Sequence, residues 1–419
     1  MKKHTQSPYE SSEISYKPSG IKWLGEIPKH WEICKLNKVS YFINGYAFES
    51  SHFDYSFSIP VIRIGDIQND KIIYHTCLMT KEQENLKNFM IYRGDIVIAL
   101  SGATTGKFAV CNSNKKAYIN QRVAIIRSDI KILKYYLSTF GFVNYIDMLC
   151  NGSAQPNIST KEVGNFKIPL PPLQEQKEIA EFLDKKCEKI QNYIDKKQKL
   201  ITLLQEKKQA LINEVVTKGL NPNIEFKNSG IAYLGLIPHH WEVRRMKFMA
   251  SIHNGREQTE IADENGIYPI YGSGGILGKS MYFIYDKPSV LLGRKGTIDK
   301  PLFVEEPFWT IDTMFYTSIS KIVLPKYFYY LCLTIDFQFY ISGSAIPSMT
   351  QYDLANISFA LPPLQEQKQI ANFLDEKCEK INSAIEKTKR QIELVKEYKN
   401  TFINEAVCGR INLQKKERI

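Results

Sequence analysis

In two long stretches of the chain, apolar residues alternate at intervals of three and four positions among charged residues. This is the seven-residue period of a coiled coil. Each stretch follows a pair of prolines, Pro171/Pro172 in the first case and Pro362/Pro363 in the second. The pattern predicts two helices of about 42 residues, each about 63 Å long at 1.5 Å per residue. The apolar positions form two series in each helix: Leu183, Ile190, Leu204 and Leu211 with Cys187, Ile194, Ile201 and Val215, then Leu374, Ile381, Val395 and Phe402 with Cys378, Ile385, Ile392 and Ala406.

Connectivity predicts how these two helices pack. The first helix carries the chain from one globular region to the next, so the second helix can bury its apolar seam only by running back along the first. We therefore expect antiparallel partners. In the alternative arrangement each helix folds onto its own globular region, which would leave a coiled-coil seam unused.

The sequence also repeats itself. The segment LPPLQEQKEIAEFLDKKCEKI at 170–190 returns at 361–381 with 18 of 21 positions identical, at an offset of 191 residues. Upstream, SGIKWLGEIPKHWE at 19–32 returns at 229–242 with 10 of 14 positions identical, at an offset of 210. Two copies indicate a pseudo-dimer within one chain and not a long repeat array.

Between the repeated segments the chain predicts mixed α/β domains with short strands. The fold class that we expect is α+β, with two such domains separated by two long antiparallel coiled-coil helices in a pseudo-twofold internal repeat. The second domain is shorter by 19 residues, and we place the whole difference between about residues 46 and 101. The expected strands are 59–67, 94–100, 122–128, 288–293 and 312–319, and the expected turn between the modules is 218–230.

These features divide the chain into five predicted parts. They are an N-terminal tail (1–17), a first domain (18–173), a helix and turn (174–220), a second domain (221–364), and a second helix with a C-terminal tail (365–419).

Composition favours a polyanionic partner. The 419 residues carry a net charge of +11 with a pI near 9.0, which is typical of nucleic-acid-binding proteins. A basic protein with a solvated, lysine-rich helix face would have the same charge, so charge alone does not decide. The polar start of the chain is unlike a signal peptide, and no apolar run approaches the ~18 residues that span a bilayer. We expect a cytoplasmic protein.

Motifs for catalysis and metal binding fail on inspection. The eight cysteines include no CxxC pair, and Cys187 and Cys378, at equivalent repeat positions, are expected to be structural thiols. Both GSGGILGKS (272–280) and SGATTGKF (101–108) have the wrong spacing for a phosphate-binding P-loop. The paired prolines read Leu-Pro-Pro-Leu and lack the polar and aromatic residues of the amino-methyltransferase tetrad. We expect neither a catalytic residue nor a metal site.

Glycine-rich loops with basic and hydroxyl side chains remain: SGATTGK (101–107), INQR (119–122), YGSGG (271–275) and GRKGT (293–297). Glycine lets a backbone approach a phosphate, and Arg, Asn and Gln can hydrogen-bond base edges. Singly these strings are ordinary β-turns. Their occurrence at equivalent places in a duplicated basic chain favours DNA binding.

The ordered motifs closely resemble the specificity subunit of type I restriction-modification enzymes, from about residue 18 to 412. The first half carries FINGYAF, GDIVIALSGATTGK, INQRVAII, GSAQPNIS and LPPLQEQKEIAEFLD; the second carries YPIYGSGGILG, VLLGRKGTI, PFWTIDT, GSAIPSMT and LPPLQEQKQIANFLD. The resemblance implies two target recognition domains, each reading one half of a bipartite, asymmetric DNA sequence. It further implies that two methyltransferase subunits and restriction/translocase subunits dock on a non-catalytic chain. S-adenosylmethionine, ATP and Mg²⁺ would then be bound by those partners and no cofactor by this chain.

The residues that we expect to contact DNA come from the polar loops. For the first half-site they are Asn44, Arg63, Ser101, Thr104, Lys107, Asn120, Gln121 and Arg122, and for the second Arg256, Tyr271, Ser273, Arg294, Lys295 and Thr297. Trp31 and Trp241 are expected to be core or subunit contacts. Two other functions are considered: a coiled-coil adaptor that binds DNA without sequence specificity, and an enzyme with degenerate motifs.

Overall fold

The computed structural model describes residues 15–68, 70–152, 155–341 and 347–411. These residues form two compact units: unit one holds the described residues up to 195 and those from 391 onward, and unit two holds the described residues of 196–390. Most of the predicted N-terminal tail, the C-terminal tail from 412, and parts of the motifs GSAQPNIS and GSAIPSMT lie outside the described residues.

Unit one is built on a four-stranded antiparallel sheet and a three-stranded sheet. The strands are β1 Tyr16–Pro18, β2 Glu26–Pro28, β3 Glu32–Lys35, β4 Tyr41–Asn44, β5 Ile59–Ile62, β6 Ile67–Gln68, β7 Lys71–Ile72, β8 Leu78–Thr80, β9 Ile96–Ala99, β10 Phe108–Val110, β11 Tyr118–Ile119, β12 Val123–Arg127 and β13 Lys167–Leu170; the helices are α1 Leu133–Leu137, α2 Phe140–Cys150, α3 Thr160–Gly164 and the first part of α4 Leu173–Lys218. The four-stranded sheet has the order β10-β9-β12-β4 and the three-stranded sheet the order β11-β5-β8. Shorter antiparallel pairs are β1 with β2, β3 with β13, and β6 with β7.

Unit two repeats this connectivity. Its strands are β14 Phe226–Asn228, β15 Leu236–Pro238, β16 Glu242–Arg245, β17 Ala250–Asn254, β18 Tyr268–Gly272, β19 Gly275–Ser280, β20 Ser289–Gly293, β21 Leu302–Val304, β22 Trp309–Thr310, β23 Met314–Ile319 and β24 Ser358–Leu361; the helices are α5 Pro325–Cys332, α6 Gln351–Asn356 and α7 Leu364–Val407, whose first part belongs to this unit. The sheets have the orders β17-β23-β20-β21 and β19-β18-β22. In both units the three-stranded sheet contains one parallel pair, β5 with β11 and β18 with β22.

Backbone hydrogen bonds place the length difference between the units. Gly45 donates to Val123 as Gly255 donates to Met314, at offsets of 210 and 191 residues. Leu100 donates to the Arg122 carbonyl as Arg294 donates to that of Thr313, so the offset at Leu100 and Arg294 is 194. The expectation that all 19 residues are lost before residue 101 is therefore wrong, because three of them are lost after it.

Both long helices exist, with 46 residues in α4 and 44 in α7. In unit one the Phe182 and Phe402 rings lie 5.4 Å apart. Burial raises the pKa of the Cys187 thiol, and the charge of the nearby Lys399 partly offsets this rise. Residues further along α4 thus contact residues earlier in α7, so the two helical segments are antiparallel. The alternative in which each helix folds onto its own domain alone is wrong.

Unit two shows the same direction of packing. Lys208 Nζ on α4 donates to Asn382 Oδ1 on α7 at 3.0 Å, and a methyl group on Gly219 would lie 3.2 Å from Glu366 Oε1. All sixteen apolar positions of the predicted seams are buried or half-buried. The predicted α+β class with mixed domains and two long helices is confirmed. No helix within the described residues has both the length and the apolar surface needed to cross a membrane.

Two local predictions need correction. The strand expected over 59–67 ends at Ile62, because the Asp66 carboxylate accepts a hydrogen bond from the Arg63 amide at 2.9 Å and turns the backbone into a 3₁₀ turn. The turn expected over 218–230 contains β14, which pairs with β15.

Candidate nucleic-acid interface

In unit one the predicted residues converge on one end of the four-stranded sheet. Leu100 donates a backbone hydrogen bond to Arg122 at 2.9 Å, which joins the end of β9 to the start of β12. Asn44 is paired with Ala124 at the end of β4. The Asn120 amide donates to the Ile62 carbonyl at 2.9 Å, which brings the end of β5 and the following Arg63 to the same edge.

The remaining residues of this set lie beside that edge. Ser101 and Thr104 belong to the turn that follows β9, and Ala99 at the end of β9 accepts from Gly106 and donates to Lys107. Gln121 lies in the two-residue turn before β12 and is exposed. All eight residues predicted for the first half-site thus lie along one edge of unit one.

Unit two brings its predicted residues to the equivalent edge. Arg294 donates its backbone amide to Thr313 at 2.8 Å, and Arg256 donates to Thr310 at 2.9 Å. The Tyr271 carbonyl accepts from the Ile311 amide at 3.0 Å. Lys295, Ser273 and Thr297 belong to the adjoining turns.

A glycine is required where the edge strand leaves each sheet. A methyl group on Gly45 would lie 2.1 Å from the Asn120 carbonyl oxygen, and one on Gly255 would lie 2.0 Å from that of Ile311. Any larger residue would push apart the two loops that carry the polar side chains, so this contact positions the candidate interface in both units.

The cations of the interface differ in how firmly they are held. Lys107, Arg122, Arg256 and Lys295 are exposed. Arg294 is half-buried: its Nη1 donates to the Asp312 carbonyl at 3.1 Å, and its guanidinium carbon lies 6.0 Å from the centre of the Phe315 ring. A fixed guanidinium suits base readout, whereas a free one suits phosphate.

Arg63 is engaged within unit one itself. Its Nε donates to Asp66 Oδ2 at 3.3 Å and its Nη2 to the Thr76 carbonyl at 2.8 Å. These bonds close the chain segment between β5 and β8 at the interface. The side chain is still 39% exposed, so one edge of the guanidinium can face a ligand.

Three hydroxyl oxygens beside the two edges are buried without a hydrogen-bond partner among the described residues: Ser101 Oγ and Thr104 Oγ1 in unit one, and Thr313 Oγ1 in unit two. A buried hydroxyl without a partner costs about 1–3 kcal/mol. Their hydrogen-bonding capacity is not used by the part of the fold that the structure describes.

The aromatic side chain of the set is partly buried. Burial raises the pKa of the Tyr271 phenol above its ordinary value, and the Glu306 carboxylate adds to this effect. Tyr271 therefore stays neutral at physiological pH and can both donate and accept a hydrogen bond.

No contact residue was predicted in GSAQPNIS or GSAIPSMT, but the described part of both motifs lies at the interface. Asn157 forms a β-bridge with Ser101, and Ser348 forms one with Lys295. The amides of Gly102 and Gly296, with φ of 77° and 80°, donate to the carbonyls of Pro156 and Pro347. The repeat of both motifs at one offset was the signal that could have placed them here.

The predicted core residues Trp31 and Trp241 are buried, with exposures of 2% and 0%. Cys378 is buried and Cys187 half-buried, and all eight cysteines are free thiols. In the described ranges no three His, Cys, Asp or Glu side chains cluster as a metal site would require.

Comparison with known proteins agrees with this duplicated architecture. The family model for the type I restriction modification DNA specificity domain matches twice, over residues 28–204 and 238–394. The chain belongs to this family. It is a specificity subunit of type I restriction-modification systems with two recognition domains, and specificity subunits are DNA-recognition subunits.

Individual relatives show how far the likeness extends. The type I restriction enzyme MjaVIII specificity subunit of Methanocaldococcus jannaschii is 25% identical over 78% of this chain and 81% of its own length. The EcoAI specificity subunit of Escherichia coli is 31% identical over 40% of this chain and 30% of its own length. A solved structure described as showing complex assembly and conformational transition of the type I R-M system matches with a TM-score of 0.69 at 15% identity, over 92% of this chain and 99% of that one. This last match supports the fold.

Proposed function

We propose that the chain reads a bipartite, asymmetric DNA target, with unit one recognising one half-site and unit two the other. The observation that carries this proposal is the candidate interface, which is built on the same backbone hydrogen bonds in both units and carries different side chains. Family membership supports a specificity subunit over a coiled-coil adaptor that ignores DNA sequence.

Three equivalent positions illustrate the difference between the units. Where unit one has Leu100 and Ser101, unit two has Arg294 and Lys295, and where unit one has Arg122, unit two has Thr313. Among these positions, the positive charge of unit one lies at the start of β12, whereas that of unit two lies at the end of β20, the counterpart of β9. Hydrogen-bond donors in different places select different bases, so two unlike half-sites are expected.

The proposal extends to partners and cofactors. The chain would hold two methyltransferase subunits, and restriction/translocase subunits would join the complex. Methylation of adenine N6 and ATP-driven cleavage would then occur on those partners, which would bind S-adenosylmethionine, ATP and Mg²⁺. Support comes from family membership and from the failure of the catalytic motifs in the sequence.

Reconstitution tests this division of labour. The chain is purified alone and with its methyltransferase subunits, and both samples are assayed for transfer of a labelled methyl group to genomic DNA. We expect transfer by the complex only. Methyl transfer by the chain alone, free of partner subunits, would contradict the non-catalytic assignment. Equal binding of the complex to all DNA sequences at every salt concentration would favour the adaptor.

A further inference from the structure

The hairpin formed by β18 and β19 exposes apolar side chains at its tip. Gly272 pairs with Gly275 across a two-residue turn, Ser273 and Gly274, and the next residues are Ile276 and Leu277. These two side chains are 64% and 53% exposed. Burying such a side chain is worth about 1.5–3 kcal/mol, so their exposure suggests contact with a ligand.

The tip lies at the candidate interface of unit two. The Tyr271 carbonyl, next to the turn, accepts from the Ile311 amide and from Thr310 Oγ1. Ser273 Oγ would lie 3.1 Å from a methyl group on Gly296, the neighbour of Lys295. The exposed apolar side chains are thus continuous with the surface that carries the predicted DNA contacts.

The equivalent connection in unit one is built differently. There the chain between β5 and β8 is longer, and its apolar side chains Ile64, Ile67 and Ile72 pack on a buried cluster. Thr76 closes that segment: its carbonyl accepts from Arg63 Nη2, and its hydroxyl donates to Asp66 Oδ1. The projecting apolar tip therefore belongs to unit two and would serve the second half-site.

Shape and charge identify the ligand. A two-stranded ribbon fits the major groove of B-DNA, which is ~12 Å wide. Gly272, Gly274, Gly275 and Gly278 leave the ribbon narrow, and the exposed Lys279 and Lys295 can meet the phosphates on its borders. The one apolar group on a base edge in that groove is the C5-methyl of thymine.

We propose that this hairpin enters the major groove of the second half-site and that Ile276 packs against the C5-methyl group of a thymine. Ile276 is thereby a specificity-determining residue. The inference rests on the proposed function of unit two in reading DNA.

The experiment measures binding of the complex with its methyltransferase subunits to duplexes carrying the target. Each thymine of the second half-site is replaced in turn by deoxyuridine, which removes only the methyl group. The Ile276→Ser variant is compared with wild type. Ile267→Ser is the matched control, because Ile267 is 67% exposed and lies beside Ser280 at the other end of the same hairpin.

We expect wild type and Ile267→Ser to lose about three- to fivefold in affinity at one thymine, the effect of one buried methyl group. The affinity of the Ile276→Ser variant should not change when that thymine is replaced by deoxyuridine. The inference is overturned if wild type tolerates deoxyuridine at every position, or if Ile276→Ser retains the full sensitivity. Failure of Ile276→Ser alone to assemble with the partner subunits would assign the side chain to a protein contact and also overturn it. Absence of any target preference in the wild-type complex would instead refute the proposed function.

Discussion

The indole Nε1 of Trp31 donates a hydrogen bond of 2.8 Å to Glu175 Oε2, in the first turn of α4. The same bond recurs in unit two, where Trp241 Nε1 lies 3.1 Å from Glu366 Oε2 at the start of α7. A histidine precedes each tryptophan and contacts the same carboxylate. A negative charge at a helix N-terminus is favourable in itself, and here it also ties the helix to its recognition domain.

Removal of this carboxylate should destabilise each unit to a different extent. The Glu366 side chain is 23% exposed and that of Glu175 is 39% exposed. We expect Glu366→Gln to lower the free energy of unfolding by about 1–2 kcal/mol, because it weakens a charge-assisted hydrogen bond. Glu175→Gln should have a smaller effect, since solvent screens it more.

Urea unfolding followed by tryptophan fluorescence measures both changes. The control is Glu181→Gln, an exposed glutamate six residues further along α4, which should be neutral. Equal effects of all three substitutions would show that the hydrogen bond to tryptophan does not contribute to the free energy of unfolding.

Two neighbouring cations of unit two should affect binding in different ways. Arg294 is held by the Asp312 carbonyl and the Phe315 ring, so Arg294→Ala should relax discrimination at one base pair by about 1–3 kcal/mol. Lys295 is exposed, and Lys295→Ala should weaken binding to all sequences alike. It should also reduce the slope of log K against log salt concentration by about 0.9.

Competition binding with every single-base variant of the second half-site, repeated at three salt concentrations, separates these outcomes. Uniform weakening by Arg294→Ala would show that its guanidinium holds a phosphate.

The Cys77 thiol should react slowly. Burial raises its pKa from the ordinary 9.0 to about 12, and the Asp66 carboxylate adds to this. The folded protein thus favours the protonated thiol, so the associated stability is complete below pH 9 and decreases as the pH rises toward 12. We expect Cys77 to be alkylated at pH 8 at least about tenfold more slowly than the half-buried Cys150.

Mass spectrometry of iodoacetamide-treated protein measures both rates, and urea should make them equal. Rapid labelling of native Cys77 would show that the segment between β5 and β8 opens readily.

The sequence was sufficient for the features that depend on periodicity and repetition. The a/d pattern predicted both long helices and their antiparallel packing, because the apolar seam that contains Leu183 on α4 and the one that contains Leu374 on α7 each have to be buried. Repeated motifs predicted two similar domains, and of the four polar loops SGATTGK and GRKGT occupy equivalent positions. The burial of Trp31 and Trp241 followed from their places in the repeated segment.

Features that depend on contacts between distant residues could not be predicted in this way. The end of β5 at Ile62 is set by the hydrogen bond from the Arg63 amide to Asp66. In the sequence alone, residues 63–67 continue the strand pattern. The convergence of Asn44, Ser101 and Asn120 requires the order of the strands, which a list of strands does not contain. The exposure of Ile276 was not predicted, because GSGGILGKS was assessed only as a possible P-loop.

Methylome sequencing tests most directly the claim that each unit reads its own half-site. Cells express the partner subunits with either the wild-type chain or a chimera in which residues 35–160 come from the equivalent stretch of a relative. We predict that the complex with the wild-type chain methylates adenines in two defined half-sites separated by a non-specific gap, and that the complex with the chimera changes one half-site and preserves the other. A chimera that modifies DNA efficiently with both half-sites changed, or a wild-type motif that is one uninterrupted sequence, would contradict the account.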